Sequence, residues 1–216
     1  MRYLFIGVLF LLAHSSANAA LLYDNGVAIG DSNRCAETSG RCSGEWALFD
    51  DFTLSNSSTI EAISWTANLY GGSSDYIGSN ISIYDADPVF SGGSLLFSIS
   101  SLGTLSANSL GGNFFDITVN SLSETLMAGT YWLGMQNDTL ANYGTIARSS
   151  SFLNATQWQN DGAGFRFSGQ PELSFRIEGQ QLSTVPAPAA VWLIGAGLIG
   201  LIGMRKKSPK AVALSA

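Results

Sequence analysis

The feature that most constrains this chain is a two-residue rhythm. Between Ala20 and Ser183 no helical period persists over twelve residues, while apolar and polar residues alternate in short runs. Ile63, Trp65, Ala67 and Leu69 alternate with Ser64, Thr66 and Asn68, and Phe115, Ile117 and Val119 with Asp116 and Thr118. The same spacing joins Leu95, Phe97 and Ile99; Tyr131, Leu133 and Met135; Leu173, Phe175 and Ile177; and Ile81 and Ile83. Successive side chains of a strand point to opposite faces, so each run buries one face and wets the other. Between the runs stand Gly71-Gly72-Ser73-Ser74-Asp75, Ser91-Gly92-Gly93, Gly111-Gly112-Asn113 and Asn160-Asp161-Gly162. These residues tolerate or stabilise turn geometry. Eight or so short strands with such turns predict an all-β body, an antiparallel β-sandwich of jelly-roll-like type. Trp46, Trp65 and Trp132 fall in strand runs and read as core.

The two ends follow other rules. Arg2 precedes an apolar run from Tyr3 to Ala13, too short to span a bilayer, and Ala17-Asn18-Ala19 follows. Small residues at the −3 and −1 positions mark a signal-peptidase site, so residues 1–19 read as a secretory signal cut between Ala19 and Ala20. At the other end Thr184-Val185-Pro186-Ala187-Pro188 leads into an uncharged run that closes on Arg205-Lys206-Lys207. As a helix, 187–204 would measure about 27 Å and nearly match a hydrocarbon core. The sequence therefore predicts one C-terminal transmembrane helix. Basic residues stay on the cytoplasmic side, which would put the body across the inner membrane. The expected organisation is a signal peptide over 1–19, an ectodomain over 20–183, a terminal signal over 184–210 and a tail over 211–216.

The terminal run Val185-Pro186-Ala187-Pro188-Ala189-Ala190-Val191-Trp192, its Gly-rich apolar continuation and the basic cluster resemble a PEP-CTERM sorting signal of the VPLPA type. Ala187 stands where the commoner motif has glutamate, and the tail beyond Lys207 is longer than usual. The resemblance implies a Gram-negative bacterium that makes extracellular polysaccharide. It also implies recognition by exosortase, cleavage near Pro186 and transfer to the cell surface or matrix. The body is similar, more loosely, to sandwich ectodomains carried by such proteins, in Asp51-Phe52-Thr53-Leu54, Ile83-Tyr84-Asp85 and Ala128-Gly129-Thr130-Tyr131-Trp132-Leu133.

Charge and residue chemistry exclude several functions. All sixteen acids lie between Asp24 and Glu178 with five arginines and no lysine, a net charge of −11 for that stretch. Such a surface repels phosphate, which argues against nucleic acid as a partner. The one histidine, His14, lies in the leader, so a mature body has no imidazole for a Ser-His-Asp mechanism or a histidine-ligated metal. Cys35 and Cys42 enclose six residues including Ser39 and Gly40. In an exported protein that spacing reads as a structural disulfide; it fits neither a CxxC motif nor a four-cysteine zinc site.

Three ligand chemistries are available. Asp85 and Asp87, two apart after a strand, could face one Ca²⁺ or cap the turn that carries them. Asp50 and Asp51 should point to opposite faces of a strand and share no site. Trp158, in the polar stretch Gln157-Trp158-Gln159-Asn160-Asp161, could stack on a sugar ring or pack on the sandwich edge; Tyr70, Tyr76 and Tyr143 sit beside turns. Glu45, Glu61, Glu124, Glu172 and Glu178 could supply a glycosidase pair, though none stands in a recognisable motif. The expectation is an exported, exosortase-processed surface or matrix protein associated with exopolysaccharide or biofilm, structural or adhesive and not an enzyme. A carbohydrate-binding module is the alternative, and a glycoside hydrolase a further one.

Overall fold

The alternating runs pair into two antiparallel sheets. The computed structural model describes residues 19–30, 34–36, 46–142, 144–150, 156–160, 165–168 and 172–182, with backbone alone for 34, 156–160 and 165–168. Among the described residues there are fourteen strands, more than the eight or so expected, because several runs are split by turns and short edge pieces. The eight-stranded sheet runs β1 (Ala20–Asp24), β14 (Phe175–Gln181), β4 (Ser58–Leu69), β11 (Gly144–Ile146) and β2 (Arg34–Cys35). Strands β8 (Phe114–Val119) and β9 (Glu124–Leu126) also pair with β4, and β7 (Thr104–Ala107) lies outside β8. The six-stranded sheet runs β13 (Phe165–Ser168), β12 (Thr156–Asn160), β3 (Ala47–Leu54), β10 (Gly129–Thr139), β5 (Tyr76–Tyr84) and β6 (Leu95–Ser101).

Register carries the alternation into packing. Ile63 faces Val119 and Ile177 across the ladders, and Trp65 faces Ile117 and Phe175. On the other sheet Leu133 faces Ile83, and Met135 faces Leu48 and Ile81. These inward faces meet in one core with Phe52, Ile60 and Leu69. Each such side chain removed from water stabilises the fold by about 1.5–3 kcal/mol. Trp65 is the largest of them, and its indole Nε1 donates across the core to Asn137 Oδ1 at 3.2 Å. Tyr23 of β1 stacks on Phe175 with ring centres 5.5 Å apart.

The expected turns at 71–75, 91–93 and 111–113 separate strands, while Asp161 and Gly162 of the fourth lie outside the described residues. Gly111 and Gly112, both at positive φ, close the β7–β8 hairpin. After Gly72 the chain makes a single 3-10 turn, Ser73–Asp75. Asp75 is buried there because its carboxylate accepts from the amides of Ala141 (2.6 Å) and Asn142 (2.8 Å), tying this turn to the one after β10.

One expectation is corrected. The transmembrane helix over 187–204 is not supported: among the described residues no helix is long and apolar enough to cross a membrane. The described chain has a two-residue period throughout, which suits strands, and its helical content is the one 3-10 turn. Residues 183–216, which would carry that helix, lie outside the described residues. The described residues form an all-β fold, and the chain divides into two units, Met1–Leu182 and Ser183–Ala216.

Candidate functional site

The outer face of the six-stranded sheet carries the most chemically suggestive surface. On β3, β10 and β5 one register row sets Phe49, Gly134 and Ser82 side by side, and the next sets Asp51, Trp132 and Tyr84 together. Gly134 is a floor: a Cβ there would lie 2.4 Å from Ser82 Oγ and 2.6 Å from the Phe49 ring. Phe49 therefore lies over bare backbone, edge-on to Tyr84 at 5.8 Å and 72°. Beside this pair opens a groove of about 280 Å³, lined by Asn80, Ser82, Ser98, Ser100 and Gln136 with the Phe49 and Tyr84 rings. Its lining has no Asp, Glu, Lys or Arg. Phe49 is buried at 4% exposure, so the half-exposed Tyr84 is the ring a neutral, hydroxylated ligand can reach: it takes the ligand's C–H face and the neighbouring hydroxyls and amides take its hydroxyls.

A second groove, of about 370 Å³, crosses the outer face of the eight-stranded sheet along Ser64, Thr66, Asn108, Asp116, Thr118 and Arg176. Its polar groups bond one another. Asp116 Oδ1 accepts from Thr66 Oγ1 (2.7 Å) and Asn108 Nδ2 (2.6 Å), and Arg176 pairs with Asp24 at 3.2 Å. The aromatic residues along it, Trp65 and Phe175, are turned into the core.

The ladder sets Trp158 opposite Phe49 on one side and Arg166 on the other; its side chain lies outside those described. Trp132, expected in the core, is half-buried on the outer face instead, because the register pairs it with Tyr84 and Asp51. Tyr76 is buried, with its hydroxyl bonded to Ser79 and to the Gly103 amide. Tyr70 is exposed, and Tyr143 lies outside the described residues. Asp85 Oδ1 accepts from Ser94 N (2.6 Å), and Asp87 Oδ1 from Val89 N (2.8 Å) and Phe90 N (3.1 Å). Those bonds are turn caps, and among the described residues no three Asp, Glu, Cys or His come together as a metal site.

Asp50 and Asp51 do point to opposite faces. Asp51 is half-exposed on the outer face, whereas Asp50 is wholly buried between the sheets. Asp50 Oδ2 accepts from Leu173 N (2.7 Å) and Asn25 Nδ2 (3.1 Å), and Oδ1 from Asp51 N (3.1 Å). Burial pushes its carboxyl well above the usual carboxylate range; a hydrogen bond to Glu172 and the Glu172 and Asp51 charges push the same way, against the Leu173 amide. Burial first, then these acids, also raises the Tyr23 phenol. Glu172 is as buried as Asp50, so this carboxyl pair is closed to a polymeric substrate.

Sequence reasoning missed Phe49, Tyr84 and Gly134 as one surface, since only the cross-strand register brings them together. It could not foresee the Asp50–Glu172 contact, which spans most of the chain. The Asp50/Asp51 alternation did signal that one of the two must face inward.

The terminal residues lie outside the described region. Ala20, after the expected cleavage point, is the first residue of β1, while residues 1–18, including Ala17, are undescribed. Cys35 on β2 is not a free thiol, and its expected partner Cys42 is undescribed. Residues 184–207 match the PEP-CTERM protein-sorting motif, so the chain carries that sorting motif at its C-terminal end. No curated protein and no solved structure matches it.

Proposed function

We propose that this chain is a non-catalytic structural or adhesive protein of the cell surface or extracellular matrix. Export takes it to the periplasmic side of the inner membrane, where exosortase cuts near Pro186 and releases the body from its basic tail. The Cys35–Cys42 disulfide closes a small loop in the oxidising compartment. The observation that carries the reading is the sorting motif over 184–207. Mass spectrometry of surface material tests it. Released protein should end near Pro186; the intact Arg205-Lys206-Lys207 tail on released protein refutes the processing step.

A second reading, that the body binds a neutral saccharide, is favoured by the uncharged ring-and-hydroxyl groove on the six-stranded sheet. Retention of the full chain on a neutral polysaccharide column should weaken on Tyr84→Ala. Equal retention of the two proteins removes this groove from consideration.

A further inference from the structure

One flank of the body is built unlike the rest. Strand β6 is the outermost strand of the six-stranded sheet, and β7 is the outermost strand beyond β8 in the other. They are consecutive, joined through Leu102 and Gly103, and the Gly103 amide donates to the buried Tyr76 hydroxyl at 3.2 Å. Among the described residues both sheets thus end on the same flank, with no strand beyond β6 or β7. An edge strand presents a row of backbone donors and acceptors that another strand can pair with.

Soluble proteins guard such edges with charge, proline or a bulge directed outward. Here charge and proline are missing from both strands, and the one irregularity of pairing is at the start of β6, where Leu96 is skipped between Leu95 and Phe97; the ladder from Phe97 to Ser101 is regular. The twenty-eight residues from Pro88 to Phe115 hold no Asp, Glu, Lys or Arg, in a body whose net charge is −11. Strand β6 reads Leu-Leu-Phe-Ser-Ile-Ser-Ser and β7 Thr-Leu-Ser-Ala. Leu95, Leu96 and Leu102 are 54%, 46% and 73% exposed. Acidic copies repel wherever their charges meet, and this neutral flank is where two can approach without bringing carboxylates together.

We propose that a second copy of this chain docks on this flank, its β6 pairing antiparallel with the first β6 about a two-fold axis. The pairing is isologous, so one patch serves both partners and the contact closes as a dimer. The six-stranded sheet then runs continuously through both bodies, with the exposed leucines covered at the seam. The inference deepens the structural role proposed above and relies on it only for why copies meet at a surface.

A cysteine scan of the full chain tests it. Leu96→Cys, Ser98→Cys and Ser100→Cys sit along β6, and Thr53→Cys on β3, also exposed, is the control. Under mild oxidation the β6 positions should give a covalent dimer whose yield peaks at the position nearest the axis and falls away from it. Thr53→Cys should give little. No dimer along β6, or equal yields at all four positions, overturns the proposal. Adding Ser98→Lys and Ser100→Lys to the Leu96→Cys variant tests the same seam by charge. Ser98 and Ser100 are exposed and leave the core untouched, and like charges facing across the seam should cut the dimer yield about tenfold or more. An unchanged yield also overturns it. Sorting is read separately from loss of the basic tail, so a dimer that keeps its tail sinks the processing reading alone.

Discussion

Replacing Asp50 with Asn should change how stability depends on pH. Asp50 is wholly buried and its carboxyl is raised well above 3.8, by burial first and then by Glu172. In the unfolded chain the same carboxyl ionises at its ordinary value. As pH rises past that value the unfolded state holds fewer protons than the folded one, so stability falls. The contribution is fully present below the unfolded pKa and is lost as pH climbs to the folded one. For one proton the slope is at most about 1.4 kcal/mol per pH unit. In a chain of this length that is roughly 3–5 °C of Tm per unit. Asn keeps the side-chain shape and offers an acceptor and a donor, but no titrating proton. The assay is thermal unfolding of both full-length proteins from pH 4 upward. The Tm of Asp50→Asn minus that of the parent should rise with pH, even if the variant starts lower for want of an acceptor for the Asp51 amide. A difference that stays constant across the range would refute the reasoning.

Two further substitutions probe the fold. A Cβ at Gly179 would lie 2.0 Å from the Thr59 carbonyl oxygen, where β14 shifts register against β4. Gly179→Ala should therefore cost about 2–3 kcal/mol, or roughly 5–10 °C in Tm; a melt within a degree of the parent contradicts that register. Trp65→Phe removes the indole donor from Asn137 Oδ1 and leaves a gap in the core. It should cost at least about 2 kcal/mol in urea unfolding, whereas Trp132→Phe on the outer face should cost less than about 1 kcal/mol. Equal losses would mean that the two tryptophans are not on opposite sides of the core boundary.

Much of this protein is written in local order. Alternation at Ile63–Leu69 and Phe115–Val119 requires strands with one dry face, because a two-residue period admits no other burial. Gly111-Gly112 demands a turn, since both residues take positive φ there. The Pro-x-Pro, apolar run and basic cluster make up the sorting motif, which was legible because it is one contiguous segment. Partnership across the chain was left to the tertiary structure. Trp65 and Trp132 occupy similar alternating runs, yet one is core and the other lies on the wet face. Which parity of a strand faces inward is fixed by the sheet it joins, not by the run itself. The Asp50–Glu172 contact, the glycine floor beneath Phe49 and the uncharged flank of β6 and β7 arise the same way. Each depends on which strands end up side by side, a free-energy balance over the whole chain that no short stretch of residues contains.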